Sequence, residues 1–491
     1  MKIFTDKILI LSICSALSGL SLPLHTLAQT ETVQKNWESK AGFIKQDLKG
    51  QGYVHQMSDE YTWPEDTAVL TKLDRWRDLK FGVLFHWGLY SVKGISESWP
   101  LCAEDRFMAR RRQIQPDLGY EDFKKWYWGQ MKDFNPTKFD PETWADLMQD
   151  AGMKYMIFTT KHHDGFCMYD TRETDYSIAQ GPFKNHPLKD VARHVFDAFR
   201  QKDFMIAAYF SKPDWHCPYY WHPDKATPDR RANYDIGKHS DWWGKYRAYT
   251  ARQIQELMSG YGRIDILWLD GGWVQKNNGE DLDIDRIVSD ARKLQPGLIA
   301  VDRTVHGKNE NYLTPEMRIP PQQLPYPWES CITLTNRWGW CPKAPYKSAW
   351  QVINMLGEIV AKGGSLVLGV GPKPDGTIEA GALQPLKEMG EWLRAYGKAI
   401  YGTRVTPHYH SDRVWFTADK DGKTLYAIYA LPEGETLPAT IEWKGNLPKG
   451  SLRLLRGNRK VKYRCQGGKV TVVLPHGLKE EPLAFCFQVK K

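Results

Sequence analysis

The chain has 491 residues, of which 42% are hydrophobic and 25% charged, and its formal net charge is +9. These values are typical of a soluble globular protein, and the length predicts two or three domains rather than one small core. The positive charge is spread along the chain, and its densest run, Arg110-Arg111-Arg112, has no basic stripe or recognition motif beside it. We therefore expect no nucleic-acid partner.

Residues 1–28 are predicted to be a secretory signal peptide. Lys2 and Lys7 precede an apolar stretch at 8–24, and Ala28 offers a cleavage site. The stretch is short for a membrane span and contains Ser and Pro, and no later stretch reaches the required apolar length, so we expect no membrane partner. The mature protein is expected to be exported, either periplasmic or secreted.

Residues 29–65 are polar and irregular, and we predict that this N-terminal segment wraps the surface. From residue 66 onward, helical and strand-like patterns alternate. Helices are predicted at 67–80, 120–131, 141–151, 190–202, 246–258, 284–294, 349–361 and 383–399. Apolar runs predict strands at 81–86, 154–160, 204–210, 264–270, 298–301 and 365–370, and one or two irregular strands are expected besides.

Alternating strands and helices predict a parallel sheet with crossover helices. Polar residues recur where the predicted strands end, which favours a barrel over an open sheet, and no Gly-rich phosphate fingerprint follows the first strand. We predict a catalytic (β/α) TIM-like barrel over residues 66–403. Two long Trp-rich segments, 89–115 and 304–347, are predicted to be functional loops.

The pattern changes after about residue 403. Short alternating segments separated by Gly, Asp and Lys turns predict a C-terminal antiparallel β-sandwich domain over 404–491. The predicted strands cover 414–418, 424–430, 440–443, 470–474 and 484–489.

The run from Ile264 to Trp273 is central to the functional interpretation. Its apolar strand ends on Asp270, and two glycines follow. A polar residue at the carboxyl end of a barrel strand lies at the catalytic face, and neighbouring glycines let other atoms approach closely. The alternative is an Asp that caps a turn through its own backbone.

The predicted strand ends supply further polar side chains. They are His86, His162, His163, Asp164, Tyr209, Asp214, His216, Asp302 and Arg303, and the long segment adds Glu310, Glu316 and Glu329. A metal-dependent hydrolase could use three His and one Asp as ligands. However, adjacent residues such as His162 and His163 point to opposite sides of a strand, so only an irregular turn would bring both to one ion. With no HExxH pattern in the chain and no HxH pattern at the ends of the predicted barrel strands, we expect no metal and no cofactor. A glycosidase instead needs two carboxyl groups that flank the scissile bond.

Seven segments in order carry a family resemblance. They are FGVLFHWGLYSV (81–92), TTKHHDGF (159–166), AAYFSKPDWH (207–216), DILWLDGGW (265–273), VDR (301–303), TPE (314–316) and PWESCITLTNRWGW (327–340). Over roughly residues 65–400 the chain resembles the family 29 glycoside hydrolases, the α-L-fucosidases.

The resemblance implies retaining hydrolysis of terminal α-L-fucose from fucosylated oligosaccharides or glycoconjugates, without a metal. Asp270 would be the nucleophile. The residues implied to hold the fucose are His86, His162, His163, Tyr209, Trp268 and Arg303. Trp99, in Glu97-Ser98-Trp99-Pro100, occupies a position where family members often show Glu-Trp-Tyr, and we include it among the binding residues.

Two glutamates match the position of the general acid/base, which lies on a variable loop in this family. We favour Glu316 over Glu329. The residue that serves as the acid must be protonated at working pH, whereas Asp270 must stay ionised, with Arg303 as its expected partner. The alternative to an enzyme is a protein that binds fucose but has lost catalysis. The segments 89–115 and 304–347 are expected to decide the linkage that is cut, and the sequence leaves the oligomeric state open.

Overall fold

The structure is a computed structural model that describes residues 61–489. The predicted signal peptide at 1–28 and residues 29–60 of the predicted wrapping segment lie outside this range. Among residues 61–489, no helix combines the length and the apolar character that a membrane crossing requires.

Helices and strands alternate through the first two thirds of the described chain. The helices are α1 (Thr67–Leu79), α2 (Asp105–Ile114), α3 (Tyr120–Gly129), α4 (Pro141–Asp150), α5 (Val191–Gln201), α6 (Ser240–Gly260), α7 (Ile284–Leu294), α8 (Ala349–Ala361) and α9 (Ala380–Tyr396). The strands between them are β1 (Phe81–Phe85), β2 (Tyr155–Lys161), β3 (Met205–Ser211), β4 (Ile266–Asp270), β5 (Ile299–Asp302), β6 (Glu329–Thr333) and β7 (Ser365–Val370).

These seven strands form one parallel sheet in the order β5-β4-β3-β2-β1-β7-β6. The predicted TIM-like barrel is confirmed. The register pairs Ser211 with Asp270 and Leu269 with Asp302, so the carboxyl ends of β3, β4 and β5 meet at one rim. This rim is where the sequence predicted the polar side chains to gather.

An irregular segment fills the space between the two outer strands, β5 and β6. Its residue Glu310 forms a bridge with Val301 of β5, and Glu316 forms a bridge with Cys331 of β6. This closing segment, residues 310–317, runs through the part of the chain that was predicted to be a long loop. The strand β6 also lies there. One or two strands beyond the six clear ones were expected, but their place in the chain was not predicted.

The barrel interior is a separate apolar cluster that includes Leu84, Tyr155 and Ile266. At the amino-terminal end of the strands, Trp76 of α1 packs face to face on Tyr312 of the closing segment, with ring centroids 4.1 Å apart. Trp76 is 1% exposed and therefore plugs this end of the barrel. The open end is consequently the rim that carries the polar residues.

The C-terminal strands are β8 (His410–Ser411), β9 (Val414–Ala418), β10 (Thr424–Tyr429), β11 (Thr440–Lys444), β12 (Pro448–Leu454), β13 (Arg459–Gln466), β14 (Lys469–Val473) and β15 (Leu483–Val489). They form an antiparallel sheet in the order β11-β14-β13-β12-β15-β10-β9-β8. Trp443 of β11 contacts Phe416 of β9, with ring centroids 5.9 Å apart, so the two ends of the sheet face each other across an apolar core. This arrangement confirms the predicted β-sandwich.

Candidate active site

A cavity of about 330 Å³ opens at the carboxyl rim of the barrel. Its lining combines carboxylates, cations and aromatic rings, namely Leu84, His86, Glu97, Trp99, His162, His163, Tyr209, Arg230, Trp268, Asp270, Gly272, Trp273, Arg303, Thr304, Glu316 and Trp338. All the residues predicted to bind substrate are in this set, together with Asp270 and Glu316. Glu329 is not among the lining residues.

Asp270 ends β4, and the backbone beyond it turns sharply. Gly271 adopts φ +85°, and a Cβ on Gly272 would come within 1.8 Å of the Thr304 hydroxyl oxygen. A side chain at Gly272 would therefore push away the residue that follows Arg303. The two glycines provide the close approach that the sequence predicted, and they hold Asp270 and Arg303 at neighbouring strand ends.

Both oxygens of Asp270 accept hydrogen bonds. The Tyr209 hydroxyl donates to Oδ2 at 2.6 Å, and the Gly271 backbone N–H donates to Oδ1 at 2.8 Å. Arg303 Nη1 lies 2.9 Å from Oδ1, which is the partnership expected from the sequence. The carboxylate therefore has a defined orientation at the floor of the cavity, with its side chain 19% exposed.

These contacts set the charge of Asp270. Burial alone would raise the pKa of this carboxyl. The Arg303 guanidinium, His163 and the hydrogen bonds from Tyr209 and Gly271 outweigh burial and hold the pKa of Asp270 well below its usual range. Asp270 is thus a carboxylate at neutral pH, as a nucleophile requires.

Arg303 contacts a second carboxylate as well. Its Nη2 lies 2.8 Å from Glu316 Oε2, its Nε donates to the Thr314 hydroxyl at 2.9 Å, and its guanidinium lies 4.4 Å from the centre of the Trp268 ring. The Trp338 indole donates to the other oxygen of Glu316 at 3.2 Å. One cation therefore holds Asp270 and Glu316 on the same wall of the cavity.

Glu329 lies elsewhere. It is the first residue of β6, so it is at the amino-terminal end of a strand whose carboxyl end faces the rim. Its carboxyl group is fully buried and accepts hydrogen bonds from the Tyr155 hydroxyl at 2.7 Å and the Trp268 indole at 3.3 Å. Burial raises the pKa of Glu329 to about 7. Of the two glutamates considered for the acid/base role, Glu316 is the one that reaches the cavity.

His162 and His163 both face the cavity although they are adjacent in sequence. The strand β2 ends at Lys161 after an irregularity in its register, and the two rings follow in a turn with centroids 4.2 Å apart. A hydrogen bond between Nδ1 and the Ser98 hydroxyl orients the ring of His162, and one between Nδ1 and the Ser211 hydroxyl orients that of His163. The irregular turn that would let both side chains face one site is therefore present.

The histidines are neutral. Burial lowers the pKa of His163 to about 4 and that of His86 to about 3, and it also lowers the pKa of His162. His86 is buried, with 5% of its surface exposed, and among residues 61–489 neither of its ring nitrogens has a hydrogen-bond partner. A buried polar group without a partner is costly, so His86 is well suited to bond a ligand hydroxyl.

His162, His163 and Asp270 offer ligand atoms within 4.8 Å of one another, which is the arrangement that the metal-hydrolase alternative would need. However, the Asp270 oxygens already accept from Tyr209, Gly271 and Arg303. A guanidinium 2.9 Å from the same carboxylate repels a second cation. The electrostatics of the site therefore disfavour a metal ion there.

Four charged or aromatic lining residues had no predicted role, namely Glu97, Arg230, Trp273 and Trp338. Burial, together with the charges of Glu316 and Asp270, raises the pKa of Glu97 to about 7. Glu97 stands beside Trp99 in the quoted segment Glu97-Ser98-Trp99-Pro100, and this adjacency was the available signal. Arg230 lies in a stretch without a recognised motif, so no local pattern indicated it.

Comparison with known proteins adds independent information. A family model described as alpha-L-fucosidase matches residues 50–398. Human plasma alpha-L-fucosidase is 28% identical over 397 residues, which are 75% of this chain and 78% of that protein. An alpha-L-fucosidase of Branchiostoma floridae is 27% identical over 390 residues, covering 75% of this chain and 80% of that protein.

Solved structures agree with this similarity. Alpha-L-fucosidase isoenzyme 1 from Paenibacillus thiaminolyticus superposes with a TM-score of 0.71 at 28% identity, over 87% of this chain and 100% of that one. The Thermotoga maritima alpha-fucosidase in complex with fucose gives a TM-score of 0.68 at 26% identity, over 87% of this chain and 97% of that one.

The pKa of Asp270 provides a test of the proposed electrostatics. In an Arg303→Gln variant the burial effect is no longer outweighed, so the pKa of Asp270 should rise by about 1–3 pH units. Titration of ¹³C-labelled aspartate carboxyls by NMR measures it, with the signal assigned by its loss in Asp270→Asn. The matched control is Arg230→Gln, because Arg230 lines the same cavity but pairs with Glu104. An unchanged value in Arg303→Gln, or an equal rise in the control, would contradict the role given to Arg303.

Proposed function

The chain belongs to the α-L-fucosidase family, and we propose that Asp270 and Glu316 carry out its reaction as nucleophile and general acid/base. As a member of this family the protein is a retaining glycoside hydrolase that acts on fucosylated substrates. The observation that carries the assignment of residues is the Arg303 guanidinium, which contacts both carboxylates on one cavity wall. Retaining glycosidases use two carboxyl groups about 5–5.5 Å apart, one as nucleophile and one as acid/base.

In the first step, the Asp270 carboxylate attacks the anomeric carbon of the fucosyl residue. Glu316 donates a proton to the glycosidic oxygen as the bond to that oxygen breaks, and an aspartyl-fucosyl ester forms. In the second step, Glu316 removes a proton from water, which attacks the same carbon and releases fucose and the Asp270 carboxylate. The hydrogen bonds from Tyr209 and Gly271 keep Asp270 oriented throughout.

The remaining cavity residues support recognition of the fucosyl residue. His86, His162 and His163 are neutral and can bond sugar hydroxyls without adding charge next to Arg303. The Trp99 ring lines the same cavity, and an aromatic surface suits the apolar C–H face of a sugar. The Trp268 ring also lines it, but Arg303 and Tyr209 cover its faces, so it supports these two side chains. Tyr209 connects two parts of the site. Its hydroxyl donates to Asp270, and its ring stacks on Trp268 with centroids 5.1 Å apart.

Removal of the Asp270 carboxylate tests the nucleophile. For Asp270→Gly, kcat/KM on an aryl α-L-fucoside should fall by at least about 10³-fold, because no covalent intermediate can form. Azide fits the space left by the side chain and should restore part of the turnover, whereas it should not accelerate the wild-type enzyme. Thermal unfolding checks that the variant is folded. Activity within about tenfold of the wild type would remove Asp270 from the mechanism.

Leaving-group dependence separates the two glutamates. Glu316→Ala should lower kcat/KM far more for alkyl or sugar leaving groups, which need protonation, than for dinitrophenyl α-L-fucoside, which does not. Glu329→Ala is the matched control, and it should affect all leaving groups equally while lowering the free energy of unfolding by about 1–3 kcal/mol through lost hydrogen bonds. If Glu329→Ala shows the selective loss instead, the acid/base assignment is reversed.

We also propose that the enzyme is exported, to the periplasm or the medium, after cleavage following Ala28. The charged and apolar pattern of residues 1–28 supports this proposal. N-terminal sequencing of the protein recovered from the periplasm or medium of an expressing bacterium should begin at Gln29. Recovery of a chain that retains Met1 in the cytoplasm only would contradict export.

A further inference from the structure

A second and larger cavity, of about 630 Å³, lies beside the active site. It is lined by the two long segments that were expected to decide the linkage, together with Trp126 of α3. We call it the basic groove. Its lining residues are Lys93, Gly94, Ile95, Ser96, Arg110, Gln113, Ile114, Gln115, Trp126, Asn336, Arg337, Cys341, Pro342, Lys343, Ala344 and Pro345.

The basic groove adjoins the leaving-group side of the active site. Trp338, which donates to Glu316, follows Arg337 of the groove, and Glu97 of the active site follows Ser96 of the groove. The Gly339 N–H donates to the Ser96 carbonyl at 3.1 Å and joins the two loops into one wall. Because the acid/base must face the glycosidic oxygen, a substrate chain that continues beyond this oxygen emerges on the groove's side.

The charge of the groove differs sharply from that of the active site. Four of its lining residues are cations, and none of the described residues that line it is Asp or Glu. Lys93 pairs with Asp133 at 3.2 Å, and Arg110 lies 3.9 Å from Glu97. Within residues 61–489 neither Arg337 nor Lys343 forms an ion pair with a carboxylate, and both side chains are exposed. Among the described residues, no carboxylate therefore lies within ion-pair distance of these two groove cations.

We infer that the basic groove binds a negatively charged group, a sulfate ester or a carboxylate, carried by the acceptor sugars of the fucosylated substrate. Trp126 supplies an aromatic face at the same groove for a sugar ring. Arg337 and Lys343 supply the positive charge, and guanidinium groups match the geometry of sulfate and carboxylate oxygens. This inference rests on the proposed function, and it narrows the substrates to acidic fucosylated glycans.

The test compares substrates that share one fucosylated oligosaccharide skeleton. One version is neutral, one carries a sulfate ester on the acceptor portion, and one carries a uronic acid carboxylate there. For the wild-type enzyme, kcat/KM should be about five- to tenfold higher for at least one acidic version than for the neutral one, as expected for one or two exposed ion pairs. Comparing the two acidic substrates shows whether the groove prefers a sulfate ester or a carboxylate. In ~0.5 M NaCl the preference should fall to about twofold or less.

The double variant Arg337→Gln/Lys343→Gln removes the unneutralised charges of the groove. Its acidic-to-neutral ratio of kcat/KM should fall to about one. The matched control is Lys449→Gln/Arg459→Gln, which removes the same two charges from exposed positions in the C-terminal sheet and should keep the wild-type ratio. Because the ratio is taken within each variant, a general effect of the substitutions on activity cancels.

Two results would overturn the inference. Equal cleavage of neutral and acidic substrates by the wild type is one, and an acidic preference that survives in the Arg337/Lys343 variant is the other. An aryl α-L-fucoside, which has no acceptor sugar to reach the groove, is measured in parallel. Failure to cleave even this substrate would refute the proposed function. Cleavage of it, combined with no preference for acidic oligosaccharides, would refute only the inference that the groove binds an acidic group.

Discussion

The active site depends on one buried cation, the guanidinium of Arg303. Taking a charge out of water costs several kcal/mol unless partners surround it. Here the partners are Asp270, Glu316, the Thr314 hydroxyl and the face of Trp268. Because β5 places Arg303 next to the end of β4, the barrel register itself brings the cation to Asp270.

The same contact links the two catalytic steps. Before the first proposed step, Asp270 is the anionic partner of Arg303, and Glu316 beside it carries the proton that it donates. The step converts Asp270 into a neutral ester and leaves Glu316 as a carboxylate. The negative charge thus passes from one partner of Arg303 to the other, so the guanidinium keeps one anionic neighbour through the reaction.

Much of the barrel could be predicted because its strands are buried on both faces. Such strands are continuous apolar runs, and the polar residue that ends each run identifies the rim. The helices α7 and α8 begin and end where their apolar periodicity predicted. The strand β6 and the helix α2 escaped prediction, because α2 has no buried residue and β6 begins with Glu329, Ser330 and Cys331. Neither element has the apolar pattern from which the other elements were recognised.

Site residues could likewise be predicted where they lie at the end of a buried strand. Asp270, His86 and Arg303 end or follow buried strands, so their position could be inferred from the chain. Like Asp270, Glu329 lies next to a buried strand in the sequence. Asp270 follows its strand, however, whereas Glu329 begins one, so the two residues lie at opposite ends of the barrel strands. Only the structure determines that Glu329 begins β6. For Glu97 and Arg230, proximity to Asp270 arises from the packing of loops, which no local pattern encodes.

The closing segment at 310–317 has a consequence for how such enzymes can diverge. Asp270 ends a strand that is paired with β3 on one side and β5 on the other, whereas Glu316 is joined to β6 by one isolated bridge. Insertions or deletions before Glu316 would therefore move this proposed proton donor while Asp270, the proposed nucleophile, stays in place. Alignments anchored on the turn Asp270-Gly271-Gly272 would then locate the counterpart of Asp270 in a distant homologue and misassign the counterpart of Glu316.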